Sequence, residues 1–143
     1  MGPNDGSLGA ALENVSMNSI AILVARILLA LIFLLSAARQ MKYRHGVEQE
    51  MAAHGMICTP LLLACAILIE LTGGLSLILG YATLWGALEL IAFTLASTLI
   101  YYGRIADRNE LTHALKNLAI IGGLLMIAAV GPGTIGIDGA TSP

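Results

Sequence analysis

The sequence predicts an all-α integral membrane protein: an antiparallel four-helix bundle with a short turn between helices 2 and 3. Two observations carry this. The 143-residue chain is 57% hydrophobic and 11% charged, with mean hydropathy +0.85, whereas soluble domains carry roughly 25% charged residues. Four apolar stretches each reach about 20 residues, the length that crosses a bilayer. They form one domain over about 18–138, between an N-terminal tail (1–17) and a C-terminal tail (139–143).

Helix 1 is predicted over about 18–38. The tail before it, "MGPNDGSLGAALENVS", has no positive residue, and the apolar run is long, so it reads as a retained helix and not as a signal peptide. In the loop 39–59, Val47, Met51 and Ala52 could form one face of a short interfacial helix ending at Gly55; a solvated loop is the alternative. Helix 2 is predicted over about 60–80, with Thr59 as N-cap and Pro60 at the first helical position. Gly80 marks the turn into helix 3, about 82–102, so these two helices must be antiparallel neighbours. Helix 4 is predicted over about 110–130. Asp107 and Glu110 have capping-box spacing at its start, and "GPG" at 131–133 closes it.

Lys and Arg set the expected orientation. Arg39, Lys42 and Arg44 follow helix 1. Arg104 and Arg108 follow helix 3, and Lys116 lies just inside helix 4. The basic loops 39–59 and 103–109 are therefore expected on the cytoplasmic side of a cell (inner or plasma) membrane, with both termini outside. Tyr81 and Trp85 would mark the outer interface, and Tyr43, Tyr101 and Tyr102 the inner one.

Several functions are disfavoured. A net charge of −2 without a basic tract argues against nucleic-acid binding. Cys58 and Cys65, on one helix, would stand about 10 Å apart, too far for a disulfide. His45, His54 and His113 lack metal-ligand spacing, so no metal is predicted. The absence of a dithiol, a haem-ligand pattern and a Gly-rich nucleotide loop disfavours a stand-alone enzyme.

The residues that invite a functional reading are polar groups inside spans. A charge at the centre of a bilayer costs about 2.5–3.5 kcal/mol on insertion scales. Arg26 (helix 1), Glu70 (helix 2) and Glu89 (helix 3) fall at similar depth when counted from the outer helix ends. The expectation is a buried cluster in which Arg26 pairs with Glu70, Glu89 or both. Two glutamates against one arginine leave a surplus carboxyl, which at low dielectric would hold a proton; quinone chemistry or a proton relay would need such a group. A packing role for the ion pair is the alternative. Lys116, Asn117, Thr94, Ser97 and Thr98 form a second polar layer, read as interhelical packing with Lys116 snorkelling. Gly73, Gly74, Gly122 and Gly123 read as positions of close helix approach.

These residues resemble the DoxX family of small four-span membrane proteins. The resemblance runs from about residue 20 to 139. It covers "ARILLALIFLLSAARQMK" with Arg26 and Lys42, then "MAAHGMICTPLLLACAILIELTGGLSLILGYAT" with Gly55, Glu70, Gly73 and Gly74. It ends in "KNLAIIGGLLMIAAVGPGTIGIDG" with Lys116 and Asn117. It implies a four-helix membrane bundle and places Arg26, Glu70, Lys116 and Asn117 at the family's recurring polar positions; Glu89 rests on depth alone. Two positions depart: "SAAR" stands where a Gly usually follows the Ser, and Gly136 stands where a Ser is usual. The family is named for subunits associated with quinone-linked oxidases. The expected function is an accessory or quinone-proximal partner of a membrane redox system, with no covalent cofactor and quinone as the candidate ligand. The rivals are a structural subunit of a larger membrane complex and a small proton or small-molecule carrier. The expected partners are the lipid bilayer and either other membrane subunits or further copies of the chain.

Overall fold

The computed structural model describes residues 5–102 and 108–138, with side chains for 17–101 and 108–138. Five α-helices follow in order: α1 (Asp5–Lys42), α2 (Arg44–Ala53), α3 (Thr59–Leu79), α4 (Thr83–Tyr102) and α5 (Arg108–Val130). No strand occurs among the described residues. Four of the helices are long and apolar enough to cross a membrane. The predicted helices 1 to 4 are thus α1, α3, α4 and α5.

α1 is the main departure from the predicted boundaries. It has 38 residues, starts at Asp5 and continues past the apolar run to Lys42. Most of the expected tail is helical, because nothing between Asp5 and Asn18 forces a break. The segment after α1 does form the short helix, with Met51 buried, Val47 half-buried and Ala52 exposed. It ends at His54 and Gly55, the latter at φ +79. α3 is capped one residue earlier than predicted. Cys58, in the left-handed region at φ 57, is its N-cap, without a side-chain hydrogen bond, and Thr59 is already helical. Asp107, half of the predicted capping box, lies outside the described residues, as does Arg104.

α1 packs along α3, α3 against α4 and α4 against α5, while α1 and α5 touch only slightly. The core lies where all four converge, around Ala30, Phe33, Leu77, Ala87, Leu90, Ile120, Leu124 and Ile127. Between α1 and α5 runs an apolar groove of about 190 Å3, walled by Ile22, Ala25 and Leu29 on one side and Gly123, Met126 and Ile127 on the other.

The α3–α4 turn is tight, as Gly80 predicts. Gly80 takes φ 64, and its N–H donates to Ser76 O at 3.0 Å. Ala82 is also left-handed, at φ 48. The Ser76 hydroxyl lies 2.7 Å from Tyr81 O and 3.3 Å from Ala82 O, tying the turn to α3. Below it, Gly86 leaves the space that the Ser76 side chain fills.

The glycine pairs divide. A Cβ on Gly73 would stand 2.5 Å from Leu90 Cγ, one on Gly74 3.0 Å from Leu34 Cδ2, and one on Gly123 3.2 Å from Leu29 Cδ1. Gly122 is exposed with nothing within 4 Å, so it is not a helix-packing position. The spacing alone could not tell the two faces of α5 apart. Gly73→Leu should therefore separate α3 from α4, at a cost of about 1–3 kcal/mol or more for overpacking. Gly122→Leu should leave the melting temperature in mild detergent unchanged. Equal effects of the two substitutions would contradict this packing.

Candidate functional site

Arg26 is fully buried, and its hydrogen bonds run to backbone carbonyls and not to Glu70 or Glu89. Its Nε donates to Leu77 O at 2.7 Å and its Nη2 to Ile78 O at 3.1 Å. Its Nη1 donates to both Pro132 O and Ile135 O, each at 2.7 Å. Four of the five guanidinium N–H groups are thus taken by backbone carbonyls.

The arrangement follows from helix chemistry. The last four carbonyls of a helix lack intrahelical partners, and the helix C-terminus carries partial negative charge. In α3, Ser76 O is satisfied by the turn, and Arg26 takes the next two. The other two carbonyls come from the Gly/Pro-rich segment 131–138, which crosses this end of the bundle. Thr134 Oγ1 donates to Ser19 Oγ at 2.7 Å. Asp138 N–H donates to Gly80 O at 2.9 Å, and Thr83 N–H donates to Asp138 Oδ2 at 3.3 Å. Asp138 is also the acidic residue whose charge acts on Arg26. The guanidinium clasps α1, the end of α3 and the C-terminal segment together.

The predicted pairing of Arg26 with Glu70 or Glu89 is therefore corrected. Arg44–Glu48 and His45–Glu48 are ion pairs at the surface of α2, and neither Glu70 nor Glu89 forms one with Arg26. The cause is depth. Counting inward from residue 18 puts Arg26 mid-span, but α1 overshoots the end of α3, so Arg26 is level with the last turn of α3. Glu70 lies seven residues before Leu77, about 10 Å away along the axis.

Glu70 has its own partners. It is 3% exposed. Gln40 Nε2 donates to Glu70 Oε2 at 2.6 Å and to Ser36 Oγ at 3.2 Å, so one amide joins all three side chains. Gln40 and Ser36, one turn apart on α1, are not singled out by the sequence; the available signal is two polar residues at i and i+4 closing an apolar run. Beside this cluster lies a groove of about 260 Å3, lined by Met41, Arg44, Pro60, Leu63, Ala64 and Ile67. Leu63 and Ile67 lie on the stripe of α3 that continues to Glu70, and Met41 follows Gln40.

Glu89 belongs to neither site. It is exposed on α4, and Thr72 Oγ1 lies 3.1 Å from its Oε1. In the second polar layer, Asn117 Nδ2 donates to Thr98 Oγ1 at 2.9 Å, joining α5 to α4. Thr94, Ser97 and Thr98 donate to carbonyls of their own helix. Lys116 is exposed and takes no part in that layer.

Fold and polar core together define a small integral membrane protein: a four-span bundle with a clasped end and a buried carboxyl at the middle of α3. The chain belongs to the DoxX family, whose family model matches residues 21–103. It is 33% identical over 122 residues to Inner membrane protein YqjF of Escherichia coli K12, covering 85% of this chain and 92% of that protein. It is 30% identical over 124 residues to Inner membrane protein YphA of the same organism, covering 83% of this chain and 89% of that protein. No solved structure matches the chain.

Proposed function

We propose that this DoxX protein is a quinone-proximal partner of a membrane redox system, and that the Glu70–Gln40–Ser36 cluster is where a quinone headgroup hydrogen-bonds. The observation that carries the reading is the buried Glu70 carboxyl with a 2.6 Å bond from Gln40, one helical turn beyond the Leu63 and Ile67 wall of a mostly apolar groove. A quinone needs hydrogen-bond donors for its carbonyl oxygens, a group that can give or take a proton, and an apolar channel for its tail. Gln40 and Ser36 turn their donors from this cluster to the headgroup, Glu70 exchanges the proton, and the groove accepts the chain. The Lys/Arg distribution supports a cytoplasmic position for the α2 end, and the two Escherichia coli relatives support an inner-membrane location. Electrons would pass through a partner subunit.

The test is purification in mild detergent with quinone extraction and identification of co-purifying chains. Wild type is expected to retain quinone together with a redox-active chain. Ile67→Trp, which fills the groove, and Glu70→Leu should reduce bound quinone at least fivefold, while the Arg26 clasp and the fold persist. Wild type without quinone and without a redox partner would overturn the reading.

A further inference from the structure

We infer that the face of α3 and α4 carrying Thr72 and Glu89 is where two copies of this chain meet inside the membrane, with the two Glu89 carboxyls hydrogen-bonded across a two-fold axis. The inference does not depend on the quinone reading. Glu89 lies six residues into α4 and Thr72 seven residues before the end of α3. Both are about 10 Å inside the same end of the spans, and both are exposed. Glu70, the other carboxyl at such a depth, is 3% exposed. Ionisable residues in spans ordinarily face the interior or one another, so a carboxyl left on the outer wall calls for cover.

Thr72 does not provide enough of it. Its hydroxyl has one proton and three neighbouring acceptors: Leu68 O at 2.8 Å, Ile69 O at 3.3 Å and Glu89 Oε1 at 3.1 Å. The carbonyl of its own helix is nearest. A carboxyl has about four acceptor sites, and Thr72 reaches one oxygen.

The occupant follows from complementarity and depth. A covering chain must present, about 10 Å inside this end, a group that can bond a carboxyl. In this chain Arg26 is committed to four carbonyls, and Lys116 lies on α5 about 21 Å from its Val130 end. A carboxylic acid both donates and accepts, so Glu89 is complementary to itself, and a two-fold axis along the membrane normal puts two copies at equal depth. Ala92 and Ala96, exposed one and two turns further along α4, leave room for the backbones to approach, and Trp85 flanks the other side.

The test is disulfide crosslinking in native membranes. Single cysteines are placed at Ala92 or Ala96 in a background lacking Cys58 and Cys65. Leu31→Cys on α1 and Leu118→Cys on α5, both exposed, are controls. Oxidation is expected to give a dimer at 92 or 96 at least fivefold above the controls. Glu89→Gln, whose amide also donates and accepts, should keep that dimer. Glu89→Leu should cut it several-fold and raise the dimer Kd in detergent about tenfold, the loss of two interhelical hydrogen bonds. Four results would overturn the inference: no dimer at 92 or 96, equal crosslinking at the controls, an adduct only with a chain of different mass, or an unchanged dimer in Glu89→Leu. Glu89 is exposed, so the monomer should fold in each variant, and its melting temperature checks that.

Discussion

Arg26→Leu is expected to lower stability by about 3–5 kcal/mol, the range seen when one partner of a buried charged contact is removed. The substitution leaves the carbonyls of Leu77, Ile78, Pro132 and Ile135 without their donor. A buried polar group without a partner costs about 1–3 kcal/mol, and bonds from charged donors are the stronger kind. Part of the loss is recovered, because the variant no longer buries a charge. Arg26→Lys should restore less than half of it. An ammonium is a point donor on a flexible stem and cannot span α3 and the 131–138 segment as a planar fork does. Thermal unfolding in detergent measures the loss, and faster hydrogen exchange at Asp138 N–H locates it. The double variant Arg26→Leu with Glu70→Gln separates the clasp from a shared ion-pair site. Residues without common partners add within about 0.5 kcal/mol. Additivity is expected; coupling above about 1 kcal/mol would mean that the two side chains share a site after all.

Much of the fold is legible in the sequence, for physical reasons that differ between elements. α3 ends and α4 begins within about a residue of the predicted turn because Gly80 takes a left-handed conformation, which few other residues tolerate. The short α2 is readable from Val47 and Met51, whose spacing matches a buried helical stripe. The start of α1 is not readable, because hydropathy reports where lipid begins and not where hydrogen bonding does. That error carries into the site. Depth counted from an apolar boundary moves Arg26 away from the end of α3 and toward Glu70. The true partners are carbonyls, which no side-chain pattern announces. One hint is present: "GPGTIGIDG" is rich in Gly and Pro, so its carbonyls are not consumed by a helix. An arginine buried near such a segment finds backbone acceptors there, with Asp138 as the nearby charge. Glu70 is identifiable as a buried polar residue, but Gln40 and Ser36 look like the ordinary polar end of a span.

Gly80→Ala should be nearly as damaging as loss of the arginine, because it acts on the same clasp from the other side. The left-handed backbone alone costs a residue with a Cβ about 1–2 kcal/mol. The added methyl would also meet Arg26 Nη2 and stand 2.7 Å from Gly136 Cα. An arginine tip could swing aside only by releasing carbonyls, and the Gly136 backbone is held by the bonds on either side of it. The expected total is about 3 kcal/mol or more, combining backbone strain with overpacking. Gly55→Ala isolates the first contribution: Gly55 has φ +79, and an added methyl there would meet nothing within 4 Å. It should cost only about 1–2 kcal/mol. Gly136→Ala probes the contact from the C-terminal segment. Its Cβ would stand 3.1 Å from Pro132 Cβ and 3.2 Å from Gly80 Cα, so a small shift suffices and a smaller loss is expected. In an Arg26→Leu background the Gly80→Ala loss should shrink toward that of Gly55→Ala, since the guanidinium is gone and the segment is already loosened. Thermal unfolding of these variants in one detergent is the measurement. If Gly80→Ala costs no more than Gly55→Ala in the wild-type background, then only backbone strain is at work, and the segment 131–138 does not close against the turn.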